Sequence, residues 1–165
     1  METPQQYIAR LLANVENKDA WMVLESTPSR LRDLTAGRRR EEITRQPAPG
    51  RWSVLEIVTH LADAEVVGAW RFRSVLAADG APLQAFDQNV WAAAFRYPDS
   101  DLAESLDLFQ ANRRATLSLL RRVDPALHSH HGLHAERGRE TITHLIRLYA
   151  GHDLNHLRQI EQLLS

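Results

Sequence analysis

The segment T-I-T-H-L-I-R-L-Y-A-G-H-D-L-N-H-L-R-Q-I-E-Q-L-L, residues 141 to 164, decides how the rest of this chain is read. Ile142, Leu145, Tyr149, His152, His156, Ile160 and Leu163 follow one another at intervals of three and four. That spacing lines side chains along one face of an α-helix. The stripe is apolar at both ends and carries two imidazoles in its middle, so both histidines are expected to face the core of a helical protein.

Working outward, the same periodicity recurs in three earlier stretches. Ser53 with Glu56 three residues on forms a capping box, and Val54, Ile57, Val58, Leu61, Val67 and Leu76 carry a long helix to about Ala78. Asp99 or Ser100 caps another, whose apolar residues Leu102, Leu106, Phe109, Leu117 and Leu120 extend to about Val123. A helical stretch begins near Asp19 and reaches about Thr35, with Thr27-Pro28 restarting it as a new turn and Gly37 as the stop. Ahead of these, Thr3 and Pro4 open a short helix that ends near Asn17.

The connections are as informative as the helices. Residues 38 to 51 mix charges with prolines and a glycine and form a solvated turn. Residues 79 to 98 lack a sustained period, apart from a helical turn around Val90 to Ala94. A connection this long is usually functional or crosses the fold. Residues 123 to 139 form the last long loop. No segment alternates like a strand bounded by turn signals. The chain therefore reads as all-α: a four-helix bundle with a long crossover loop between the second and third bundle helices and a short N-terminal helical extension, one domain over residues 1–165.

Composition narrows the function. Twenty Lys and Arg against 21 Asp and Glu give a net charge of -1, which supplies no field for phosphate backbones. No nucleic-acid partner is expected. No run approaches the roughly 20 apolar residues of a membrane span and no signal peptide is evident, so a cytoplasmic protein without a membrane partner is the expectation. Cysteine is absent, which excludes disulfides, thiolate ligands and a cysteine nucleophile together. Any metal must be held by nitrogen and oxygen.

Eight histidines in this length make roughly 0.4 pairs at i, i+4 spacing by chance, so the His152/His156 spacing alone decides nothing. Their place on the buried stripe is what counts. His60 lies in register with Ile57, Ala64 and Val67 on the long helix, so a third imidazole faces the same interior. Three buried imidazoles without a cation are costly, and His60, His152 and His156 are the expected metal ligands. The run His128 to His134 is denser but sits in a polar loop with nothing to fix its geometry. His144 reads as a surface residue. Asp63 and Asp153 are candidate acceptors for ligand imidazoles, and Asp87 and Trp91 are candidates to line the mouth of the site. Trp21, Trp70 and Phe72 fit either a homodimer face or core packing.

The run P-A-P-G-R-W-S-V-L-E-I-V-T-H-L-A-D-A-E, residues 47 to 65, resembles the second-helix signature of the DinB/YfiT-like superfamily of metal-binding bundles. Residues 134 to 160 resemble its last loop and helix, and F-D-Q-N-V-W, residues 86 to 91, its loop before the third helix. The resemblance implies that one histidine of the second helix and the H-x-x-x-H pair of the last hold a metal, zinc or nickel. Carried over, these are His60, His152 and His156. It further implies chemistry with small thiols, since relatives include bacillithiol- or mycothiol-dependent transferases and maleylpyruvate isomerases.

The expectation is a divalent-metal site that activates an exogenous low-molecular-weight thiol for attack on an electrophilic substrate. Two alternatives stand beside it: a metal-dependent hydrolase in which Asp63 or Asp87 assists water as a catalytic carboxylate, and a non-catalytic metal-binding stress-response protein.

Overall fold

A computed structural model describes residues 3–165, with seven α-helices: α1 (Pro4–Asn14), α2 (Ala20–Thr35), α3 (Arg40–Thr44), α4 (Val54–Ala77), α5 (Gln88–Ala94), α6 (Leu102–Arg122) and α7 (Ile142–Leu164). The capping residues explain most of the starts. Thr3 and Ser53 each accept from the backbone N–H three residues on, and Gln6 and Glu56 return the bond. Asp19, Asp87, Asp101 and Thr141 cap α2, α5, α6 and α7 with their side chains. The expected cap of α6 at Asp99 or Ser100 shifts to Asp101 because Tyr97–Asp99 form a single 3-10 turn first.

Helices α2, α4, α6 and α7 form the bundle. α4 packs on α6 and α7, and α2 packs on the same two. Consecutive helices α2 and α4 thus sit across a diagonal, as do α6 and α7, while the long crossover after α4 joins neighbours. α1 lies against α7 outside the bundle, as the N-terminal extension. No described helix is long and apolar enough to cross a membrane.

Differences from the expected elements lie in α2, in the long loops and in residues 38–51, where the short helix α3 forms within the expected solvated turn. α2 runs through Pro28 without restarting. The loops contain three short strands: β1 (Ala81–Leu83) pairs parallel with β2 (His131–His134), which pairs antiparallel with β3 (Gly138–Thr141). Strands of three or four residues are too short to show a period of two. Gly132 is needed in β2 because a Cβ there would strike the Leu83 and Val75 side chains.

The core divides in two. One apolar cluster joins Phe72, Val75 and Leu76 of α4 to Ile142, Leu145 and Tyr149 of α7; the other joins Val54, Val58 and Leu61 of α4 to Leu157 and Ile160 of α7. Phe72 is thereby a core residue, whereas Trp70 is 71% exposed. On α7 the clusters meet where His152, Asp153 and His156 lie. A buried polar layer separates them.

Candidate metal centre

The stripe on α7 is buried as its spacing predicts, with Ile142, Leu145, Tyr149, His156 and Ile160 inside and His152 half-buried. His60 on α4 is 1% exposed. The three meet: the Nε2 atoms of His60 and His156 each lie 3.1 Å from Nε2 of His152. One nitrogen from each ring fits within 4.8 Å of the others, and among the described residues no other group of three His, Asp or Glu side chains does so.

Electrostatics keep these rings neutral. Burial, then the neighbouring imidazoles, holds His60 and His152 well below the ordinary histidine value, and burial lowers His156 to about 4. His156 donates from Nδ1 to Oε1 of Gln159 at 2.8 Å, which fixes its proton on Nδ1 and leaves a lone pair on Nε2. His152 Nε2 can satisfy at most one of its two Nε2 neighbours with a proton. Lone pairs converging without a shared proton repel one another, and a cation removes that repulsion. Two nitrogens on a tetrahedral zinc, at about 2.0–2.1 Å each, stand roughly 3.4 Å apart. The observed 3.1 Å fits such an ion to within a few tenths of an ångström.

The residues around the trio are only partly those expected. Asp63 accepts the Tyr97 hydroxyl at 2.6 Å rather than an imidazole proton. Asp87 is exposed and caps α5, accepting from the backbone of Asn89 and Val90. Asp153 pairs with Arg113, whose guanidinium also binds Glu65 in fork geometry. Trp91 packs on Phe86 and Phe95. Instead, Gln159 orients His156, and the Trp52 ring stands 4.9 Å from that of His60. The i, i+3 spacing of His156 and Gln159 was a usable signal; Trp52 had none.

The His128–His134 run does not form a site. His128 and His130 engage the Leu120 and Val75 carbonyls, His131 stands beside Asp79, and His134 accepts from the Glu136 backbone. Far from lying in an unstructured loop, His131 to His134 form β2, and each imidazole is directed to a different element. His144 is half-buried beside Glu140.

Two cavities reach the trio from different sides. One, about 350 Å³, is lined by His60 and His152 together with Tyr7, Leu11, Arg71, Phe86 and Tyr149. The other, about 320 Å³, is lined by His156 and Gln159 with Arg51, Trp52 and Gln162. Gln88 contributes to both.

Comparison with known proteins agrees with this architecture. Two similar proteins carry the name "Putative metal-dependent hydrolase": YfiT of Bacillus subtilis, 26% identical over 96% of this chain and 90% of its own length, and a protein of Oceanobacillus iheyensis, 26% identical over 85% of this chain and 81% of its own. The solved structure of B. subtilis YfiT, described as "a probable metal-dependent hydrolase with an unusual four-helix bundle topology", matches at a TM-score of 0.81 and 23% identity, over 87% of this chain and 83% of that one. A sequence model of the DinB superfamily matches residues 24–160, and the chain belongs to that superfamily.

Proposed function

We propose that this chain is a metal-dependent transferase: His60, His152 and His156 hold a divalent cation, zinc or nickel, beside which a low-molecular-weight thiol attacks an electrophilic substrate. The observation that carries the reading is the convergence of three neutral imidazole nitrogens, 3.1 Å apart along the trio, at the edge of two cavities. Three protein ligands leave a coordination position for an exchangeable group, the pattern of catalytic rather than closed structural sites. A divalent ion there supplies Lewis acidity, lowering the pKa of a bound thiol or water toward neutrality.

Two features of the chain support the transfer reading. With no cysteine in the sequence, the sulfur comes from a cosubstrate. A carbon–sulfur bond forms as the leaving group departs with its bonding pair, and the thiol proton passes to solvent. Cavities on two sides of the trio give room for two reactants. A hydrolase needs a carboxylate or equivalent base near water; the two expected in that role, Asp63 and Asp87, are committed to Tyr97 and to the α5 cap, which leaves Glu136 as the carboxylate on the cavity lining. The names of the relatives keep hydrolysis as the second reading.

Elemental analysis of protein purified without chelator or histidine tag tests the centre. Near-stoichiometric metal is expected in the wild type, with loss in His60→Ala and His152→Ala; retention in both variants would overturn it. Incubating the loaded protein with an activated electrophile, with and without a panel of small thiols, tests the reaction. Thiol-dependent consumption supports transfer. Turnover in buffer alone supports hydrolysis, and metal without turnover supports a binding protein.

A further inference from the structure

The larger of the two cavities that reach the trio contains a buried positive charge that no described carboxylate neutralises. Arg71 of α4 lines this cavity together with His60 and His152 and is 5% exposed. Among the described residues, no carboxylate lies within ion-pair distance of it. Its partners are neutral: Nη2 donates to the Gln84 carbonyl at 2.6 Å, and the Phe86 ring centroid stands 5.9 Å away. The Nε atom is buried and has no hydrogen-bond partner.

This arrangement differs from the treatment of the other buried arginine. Arg113 is matched by two carboxylates. Arg137, which lines the same cavity, is held in fork geometry by Glu140. Glu136, the one carboxylate on the described lining, is exposed to solvent. A buried cation is normally paired, because taking it out of water is otherwise expensive. At Arg71 no described residue supplies that partner, which leaves the position open to a ligand. A guanidinium fork is suited to a planar carboxylate. The remaining wall is largely apolar, formed by Tyr7, Ile8, Leu11, Phe86, Leu148 and Tyr149.

We propose that Arg71 anchors a carboxylate of the ligand that occupies this cavity, and that this ligand is an organic acid with an apolar body extending toward His60 and His152. The proposal rests on the reading of the cavity as the substrate site. It does not require the metal for its test.

Phenylacetate and its neutral isostere phenylacetamide are the probes, titrated by calorimetry into wild-type, Arg71→Gln and Arg71→Lys protein, each loaded with zinc and after chelation. Wild type should bind the acid at least tenfold more tightly than the amide in both states. Arg71→Gln should bring the ratio near one, and Arg71→Lys should keep part of it. A merely structural role for Arg71 would lower the melting temperature without changing this ratio. Equal binding of acid and amide, no binding of the acid to wild type, an acid preference that survives in Arg71→Gln, or inorganic phosphate binding as tightly as phenylacetate would each overturn the proposal. Metal content of the same preparations reports on the histidine centre separately, so the two readings fail by different measurements.

Discussion

Arg113 donates from Nη1 to the carbonyl of Leu24 at 2.9 Å, the carbonyl that Pro28, lacking an N–H, leaves without its helical donor. This bond lets α2 run uninterrupted through a proline, which in a helix interior removes an i→i−4 bond and crowds that carbonyl, typically at about 3 kcal/mol. The same guanidinium binds Glu65 of α4 and Asp153 of α7. One side chain on α6 thus ties together the other three bundle helices, and its partner Asp153 directly follows the ligand candidate His152.

Removing that tie should be severe. Arg113→Met leaves two buried carboxylates facing each other and the Leu24 carbonyl unpaired, and breaking a buried pair of this kind costs about 3–5 kcal/mol. Equilibrium denaturation at pH 7 measures it. Burial already pushes the Glu65 carboxyl up, so in the variant this group takes a proton readily. A raised carboxyl gains folded-state stability as pH falls, and the deficit relative to wild type should shrink at lower pH. A deficit below 1 kcal/mol at neutral pH would show that the triad does not hold the bundle together.

Gln159 gives a subtler test of the centre. Its Oε1 accepts the His156 Nδ1 proton at 2.8 Å, and losing such a partner typically weakens metal affinity 10- to 100-fold. Gln159→Leu should bind zinc that much more weakly in competition with a chromogenic chelator while its fold, followed by circular dichroism, is unchanged. Asp63→Asn, by contrast, should keep wild-type affinity because Asp63 serves Tyr97.

These contrasts mark where sequence reading reaches and where it stops. The stripe from Ile142 to Ile160 and the register of His60 with Ile57 were visible because helical periodicity is local, and the buried trio follows from it. Partner choice is not local. Asp63 and Asp153 stand beside ligand candidates in the chain, yet each points to a residue at least 34 positions away. Arg113 reads as one more cation beside Arg114, and only the third dimension shows it 3% exposed. Likewise the histidine-rich run 128–134 looks like a cluster in one dimension, while pairing in β2 and the preceding turn spreads its rings apart.

The neutral state of the trio sets a pH dependence for the metal-free protein. His60, His152 and His156 all have folded values depressed by burial, so the unfolded chain binds protons more readily as pH drops. Stability should be full above the ordinary value of 6.5 and fall below it, levelling only beneath the folded values, about 4 for His156. That shift alone corresponds to about 3 kcal/mol. Denaturation in chelator at pH 7.5, 6 and 5 should show the loss, and His156→Asn should reduce it. A constant stability across this window would contradict a buried neutral trio.

Gly151 determines how α1 reaches the site. It lies on α7 between Ala150 and His152, and a Cβ there would coincide with the Leu11 carbonyl of α1. The contact is backbone against backbone, so no side chain can rotate away to relieve it. Further along α7, Arg10 donates to Asn155 and Arg158 donates to Asn14, both at 2.7 Å, so side chains also clasp the two helices beyond the glycine. Tyr7, Ile8 and Leu11 of α1 form one wall of the Arg71 cavity. Gly151→Ala should therefore displace α1 rather than distort the bundle. Helix propensity favours alanine by up to about 1 kcal/mol, but overpacking of this kind costs about 1–3 kcal/mol, and the steric term should win. The expected result is faster proteolytic cleavage between α1 and α2 and weaker binding of ligands in that cavity. Zinc affinity should be nearly unchanged, since His60, His152 and His156 are all carried by α4 and α7. Metal loss as large as the loss of cavity binding would mean that α1 supports the histidine centre itself and not only the wall above it.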